Sequence, residues 1–278
     1  MNHDQTYHDL LVEILDNGNN RGDRTGTGTI SLFRPKTMIF DTQDGFSFPL
    51  MTKSKVNFKA VLSELLWFIR GSTNINDLDS NIWNEWANED GSVGPMYGHH
   101  FRMDFNKYND PLQDTIGNIE LDPLSRRHVM TTWRHELLPY SGVSPTDNVK
   151  IGKQALANCH GTAIQFYVDG DTLHLSHYQR SGDAFLGVKF NIPSYATLLL
   201  IVSRITGYKA GKVYFDLGDA HIYNNHFGAV EEYISRDILH PSPSLEFEEG
   251  VSLDEITFEH FTLSNYQYQP HIKAEISI

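Results

Sequence analysis

A chain of 278 residues that is 40% hydrophobic and 12% aromatic can bury a sizeable core, as one large domain or two of average size. Its net charge of −13 argues against broad nucleic-acid binding, so an anionic ligand must be met by a local arginine cluster against a repulsive overall field. One cysteine rules out a disulfide framework and suits a reducing cytosol; with no signal peptide evident and no unbroken apolar run of roughly 18 residues, a cytoplasmic protein without a membrane span is expected.

Leu10, Leu11, Ile14 and Leu15 are spaced as one face of a short helix, which Asn17-Gly18-Asn19-Asn20 ends. The polar loop Asp23-Arg24-Thr25-Gly26-Thr27-Gly28-Thr29 leads into a strand at 30–33. It lacks the third glycine and the helix of a dinucleotide fingerprint, and reads either as a turn with an exposed arginine or as a loop presenting Arg24 to an anion. Phe58, Val61, Leu62, Leu65, Leu66 and Ile69 give the strongest helical periodicity, closed by Gly71. Glu64 lies within that stripe beside its buried face, where a carboxylate is either paired at the rim or placed for chemistry.

Residues 105–158 are polar and broken by Pro111, Pro123, Pro139 and Pro145, so an irregular stretch is expected, with 141–153 a surface loop. Within it, Ser125-Arg126-Arg127 alone reads as solvated surface or as an anion site. Strands at 162–168 and 172–178 are joined by the turn Asp169-Gly170-Asp171. A second apolar helix starts at Asn191-Ile192-Pro193-Ser194, runs to about Ile205 and ends at Gly207. A strand follows at 212–217, then a helix from His221 onward, and 272–278 alternates apolar and polar residues. No repeat, linker or low-complexity tract intervenes, so residues 1–278 are expected to form a single α+β domain.

Cys159 precedes Gln179-Arg180-Ser181-Gly182-Asp183 by about twenty residues. A thiol beside a fixed guanidinium is partly ionised at neutral pH and can attack an electron-poor carbon, while an arginine–serine pair suits a phosphate monoester. The pattern points to a covalent enzyme acting on a phosphorylated small molecule; the alternative is an inert buried cysteine. His160 either tunes the thiol or is simply packed beside it. The fourteen histidines form no HExxH or similar ligand set, so no metal is expected.

Ordered blocks run almost the whole length of the chain: Arg24-Thr25-Gly26-Thr27-Gly28, Glu64-Leu65-Leu66-Trp67-Phe68, Ile82-Trp83-Asn84-Glu85-Trp86-Ala87, Gly94-Pro95-Met96-Tyr97-Gly98 and Ser125-Arg126-Arg127. Cys159-His160, Tyr178-Gln179-Arg180-Ser181-Gly182-Asp183, Phe185-Leu186-Gly187, Phe190-Asn191, Gly218-Asp219-Ala220-His221-Ile222-Tyr223 and Ile272-Lys273-Ala274 follow. From about Tyr7 to Ile278 the chain resembles the folate-dependent, cysteine-nucleophile thymidylate synthase family.

The resemblance implies a mixed β-sheet covered by helices, paired sheet-to-sheet in a homodimer. Cys159 would add to C6 of dUMP, and C5 would take the one-carbon unit of 5,10-methylenetetrahydrofolate. Loss of the C5 proton and of the folate leaves an exocyclic methylene, which hydride reduces to give dTMP and dihydrofolate. Arg24, Arg180 and Ser181 would hold the phosphate, with Arg126 and Arg127 reaching into the partner's site. Gln179 would contact the nucleotide, Asn191 would face the base, and His221 and Tyr223 the deoxyribose hydroxyl. Glu64, Tyr97 and His160 would move protons. Asp183 would bind the pterin, while Trp83, Leu186, Gly187, Phe190 and Ile278 would pack on the folate.

A carboxamide at Asn191 can match the O4 and N3–H edge of uracil, whereas the related deoxycytidylate hydroxymethylases carry Asp there. Ser54, Arg134, Asn158 and Lys189 depart from the family pattern, the last two replacing prolines near the chemistry, and His100-Phe101 replaces a glutamine–tryptophan pair. These departures leave open a dUMP hydroxymethylase, in which water captures the methylene. A nucleotide-binding protein without turnover is a further alternative.

Overall fold

The computed structural model describes residues 3–23, 26–43, 47–102 and 110–276. Helix α1 (His3–Asn17) buries Leu10, Leu11 and Ile14 as the spacing requires. Strand β1 (Asn19–Arg21) pairs with β2 (Thr29–Phe33), and β3 (Met38–Asp41) follows. Helix α2 (Phe58–Ile69) is capped by the Asn57 side chain, and at its end Gly71 takes φ +72°. After α3 (Tyr97–Arg102) the polar middle is more regular than its prolines suggest. The Asp110 side chain accepts from the Gln113 amide at 3.1 Å and starts α4 (Pro111–Leu121). Asp-Pro is here a helix start rather than a loop. Strand β4 (Val129–Met130) lies beyond it. The expected loop at 141–153 contains α5 (Pro145–Lys150), capped by Ser144 and tied down by Asn148, whose side chain holds the backbone of Tyr140, Val143 and Ser144.

Strands β5 (Ala163–Asp169) and β6 (Thr172–Asp183) form the hairpin, with Gly170 at φ +61°. One π-helical turn, Ala184–Val188, then runs into α6 (Lys189–Thr206). The stretch Ala184–Thr206 is long and apolar enough to cross a bilayer, but 83% of its most apolar window is buried in the protein. It is the central core helix, apolar all round because it is surrounded. Gly207 ends it at φ +78°. Strand β7 (Lys209–Tyr223) runs parallel to β6, and α6 makes the crossover. His221 therefore lies in a strand. The helix expected from that point is α7 (Phe227–Ser235), delayed because Ala220 and Ile222 continue the inward alternation of β7. A small ribbon of β8 (Ser244–Phe247) and β9 (Phe261–Ser264) completes the elements.

The main sheet has the order β1-β2-β7-β6-β5-β4, with β3 also on β7. One parallel pair among antiparallel ones makes it mixed. One face carries Ile164, Phe166, Leu173, Leu175, Val213 and Phe215 against α6 and the other helices. Phe33, Val129 and Tyr167 remain exposed (72%, 48% and 59%), so the sheet has an apolar surface that no helix among the described residues covers. Near the end of β6 and β7 the in–out alternation slips in both strands together: Gln179 and Gly182 are buried, as are Leu217 and Ala220. Gly218 permits this, since a Cβ there would sit 2.5 Å from the Arg180 carbonyl oxygen. Arg180 and Ser181 are left as two consecutive half-buried residues.

Residues 265–276 form no regular strand and cross the surface as a strap. The Gln269 amide donates to the Thr52 carbonyl at 2.8 Å, and the Ile272 amide to Ser54 Oγ at 3.1 Å. Ser54, one of the departures from the family pattern, is thus an anchor for this strap.

Candidate active site

The loop carrying Cys159 is held from below. The Asn158 side-chain amide donates to the Thr132 carbonyl at 3.0 Å, and the Arg180 backbone amide donates to the Cys159 carbonyl at 3.0 Å. Asn158 therefore stitches the loop down where the family pattern has proline. Arg180 Nε and Nη2 donate to the carbonyls of Asn158 and Ala157, each at 2.9 Å, and its guanidinium lies 5.1 Å from the Trp133 ring centroid. This fixes the fork and leaves Nη1 for an anion. Behind the thiol, Gly161 adopts φ +66° and its amide donates to His177 Nε2 at 2.9 Å; a Cβ there would meet the Tyr195 hydroxyl at 2.7 Å.

Tyr97, at the start of α3, receives the Cys159 amide at 2.9 Å, which leaves its own proton to point at Sγ, 3.5 Å away. Burial nevertheless pushes the Cys159 thiol above its ordinary value; Tyr97 and Arg180 pull it down only in part, and Glu64 adds to the rise. The expectation of a thiol ionised by its arginine is corrected: Arg180 does pull it down, but desolvation outweighs that pull. The Tyr97 ring stacks on His160 (4.1 Å, 10°), whose Nδ1 is 2.8 Å from the Tyr195 hydroxyl. Burial lowers His160 to about 3, so it is a neutral orienting group at physiological pH rather than an acid.

Glu64 is 5% exposed and accepts from Trp83 Nε1 at 2.8 Å. Burial raises its carboxyl to about 7 against the opposing pull of that N–H. A carboxyl poised there can both release and take up a proton near neutral pH. Trp83 is itself nearly buried, edge-on to Trp86 at 5.5 Å. It acts as a support for Glu64.

Where the strand phase slips, Gln179 is buried rather than open to a ligand: Nε2 donates to the Ser181 carbonyl at 2.9 Å and Oε1 accepts from Asn191 Nδ2 at 3.1 Å. Gln179 thus positions Asn191, whose Oδ1 and second N–H stay available. Asp183 Oδ1 accepts from the amides of Phe185 (2.9 Å) and Leu186 (3.1 Å), capping the π turn. Leu186, Gly187 and Phe190 are half-buried around it, an apolar rim suited to a flat heterocycle. His221 pairs across the sheet with Asp183, and its Nδ1 lies 3.1 Å from Asp219 Oδ1. Asp219 also accepts from Ser31 Oγ at 2.8 Å and pairs with Arg21 at 3.0 Å. His221 first, then Ser31 and Arg21, hold its carboxyl below the usual range despite partial burial. This leaves His221 Nε2 for a hydroxyl, with the Tyr223 ring edge-on at 5.2 Å.

Glu64, Trp83, Tyr97, Cys159, His160 and Arg180 are thus gathered in one cluster, and Gln179, Ser181, Asp183, Leu186, Gly187, Phe190, Asn191, His221 and Tyr223 line the adjoining strand ends and π turn. Arg126 and Arg127 are not gathered with them: both are exposed just before the edge strand β4. Arg24 and Ile278 lie outside the described residues. Tyr195 and Asp219 went unread in the sequence. A phenol inside an apolar helix, four residues after Asn191, was a signal, because a buried hydroxyl needs a partner. Among the described residues no cluster of three or more His, Cys, Asp or Glu could hold a metal.

The thymidylate synthase family model matches residues 5–278. A curated relative named thymidylate synthase, from Francisella philomiragia subsp. philomiragia, is 42% identical over 277 residues, covering 98% of this chain and 99% of its own.

Proposed function

The chain belongs to the thymidylate synthase family, and from that premise we propose that Cys159 is the nucleophile that opens the reaction on C6 of dUMP. The enzyme methylates dUMP to dTMP. 5,10-Methylenetetrahydrofolate supplies both the one-carbon unit and the hydride. Neither the family match nor the relative favours the hydroxymethylase. A cytoplasmic location fits the unpaired cysteine.

The observation that carries the assignment is the set of groups around Cys159. A phenol at 3.5 Å can stabilise developing thiolate, and Glu64, held by Trp83, stands ready to exchange protons. Arg180 Nη1 and Ser181 take the phosphate, His221 and Tyr223 the 3′-hydroxyl. Asn191 reads the base, Asp183 takes the pterin N–H groups, and Leu186, Gly187, Phe190 and Trp83 supply the apolar walls.

Asn191→Asp tests the substrate. A carboxyl in place of the amide suits the N3–N4 edge of cytosine, so C5-hydrogen release should fall for dUMP and rise for dCMP. The swing in kcat/KM is about 1–3 kcal/mol, the size expected when a single polar group on the base is matched or left without a partner. An unchanged ratio removes Asn191 from base reading.

We also propose a homodimer formed through the uncovered sheet face that carries Phe33, Val129 and Tyr167. Arg126 and Arg127, exposed beside that face, would enter the partner's phosphate site. An Arg126→Ala/Arg127→Ala chain and a Cys159→Ser chain should each be poorly active alone. After subunit exchange they should regain activity, because one site of the mixed dimer has every group. Mixed dimers without recovery would argue against a shared site.

A further inference from the structure

Lys189 replaces a proline of the family pattern and is 5% exposed, yet its Nζ has no hydrogen-bond partner among the described residues and lies 3.9 Å from the Phe185 ring centroid. A buried amine without a partner is costly unless a nearby charge or a ring face offsets it. Close by, His226 is fully buried between Asp183 and the C-terminal strap. Its Nε2 is 2.7 Å from the Glu275 carbonyl oxygen, and its Nδ1 is 3.7 Å from Asp183 Oδ1. A carbonyl only accepts, so Nε2 carries the proton; an unprotonated Nδ1 would then face a carboxylate lone pair. Asp183 Oδ1 is already engaged by two amides, while no protein donor among the described residues reaches Oδ2.

We propose that His226 is a positioning residue for Asp183. It faces the Oδ1 edge at 3.7 Å, leaving Oδ2 for the pterin N–H groups, and bonds the Glu275 carbonyl, so that folate binding and strap docking rise and fall together; Lys189, seated over the Phe185 ring, opposes its charge. This rests on Asp183 being the pterin-binding acid.

The groups facing His226 are Asp183 at the end of β6, Lys189 on α6 and Tyr223 on β7, with Tyr7 of α1 beside Asp183 and Arg236 near Lys189. Burial pulls the His226 imidazole down, but Asp183 and the Glu275 carbonyl outweigh it and leave the imidazole raised, with Lys189 opposing. Burial brings Lys189 down to about 8, Asp183 resisting and Arg236 assisting. Because the His226 value is raised, the tie is present at low pH and is lost as pH climbs through the His226 titration.

The test is KM for methylenetetrahydrofolate against pH, at saturating dUMP. In the wild type KM should rise on the alkaline side as the tie is lost. Lys189→Met removes the opposing cation and should move that rise upward by roughly half to one pH unit. His226→Gln keeps a donor for the Glu275 carbonyl but cannot titrate, so it should flatten the rise. If both variants bind dUMP normally and trace the wild-type curve, the inference is overturned. Should Lys189→Met not fold, His226→Gln decides alone, a retained rise overturning it. Asp183→Asn separates the premise: unchanged folate KM there sinks the pterin role itself. A raised KM there, with the two other variants unaltered, sinks only the coupling.

Discussion

Cys159→Ser should lose at least roughly a thousandfold in turnover while still binding dUMP. A hydroxyl is far less acidic than a thiol and a poorer nucleophile toward carbon, so the covalent step is the one removed. The structure sharpens the expectation, because burial already resists ionisation of the natural thiol and the Tyr97 hydroxyl and Arg180 offset this only partly. A serine alkoxide in the same place would be out of reach. Binding should persist because Arg180 is fixed through the Ala157 and Asn158 carbonyls rather than through the sulfur. Isothermal titration with dUMP and single-turnover rates with both substrates measure the two halves separately. Near-normal turnover in the variant would end the covalent mechanism.

Glu64→Gln should cost about a hundredfold to ten-thousandfold in kcat, the usual contribution of a positioned acid–base group. Gln can still accept from the Trp83 indole, so the fold around it should survive. It cannot take up or give back a proton, so release of C5 hydrogen should slow with turnover. A second signature is thermal. The Glu64 carboxyl is raised to about 7 in the folded state, so the native protein holds a proton that the unfolded chain has already lost. Stability is therefore highest below the unfolded value and falls as pH rises through about 7. Tm of Glu64→Gln should lack that decline. Wild-type kcat in the variant would show that the buried carboxyl plays no part in proton transfer.

The chemistry was more legible than the geometry. Helical spacing exposed α2 and the core helix, and the glycine-centred turn exposed the β5–β6 hairpin, because burial imposes a period on apolar residues. Strand β7 shows its alternation only over 212–217 in the sequence and is Lys209–Tyr223 in the structure, since the buried phase slips at Gly218 and only Ala220 and Ile222 carry it beyond, between Asp219, His221 and Tyr223. The short β1, β3, β8 and β9 have too few residues to display a period. Helix α4 hid behind Asp110-Pro111. At the site, residue types pointed to Cys159 and Arg180 as the groups to look at, but only packing could reveal that desolvation outweighs Arg180 at the thiol. Packing likewise turned Gln179 inward and made Asp219 the orienting partner of His221.

The raised, half-buried thiol has a consequence for the enzyme at rest. Oxidants and alkylating agents attack the thiolate, and the first step toward sulfenic acid runs through it. Burial disfavours the Cys159 thiolate, so the free enzyme should lose activity to peroxide more slowly than the exposure of its thiol alone would suggest, that single thiol being spared by the same desolvation that opposes its ionisation.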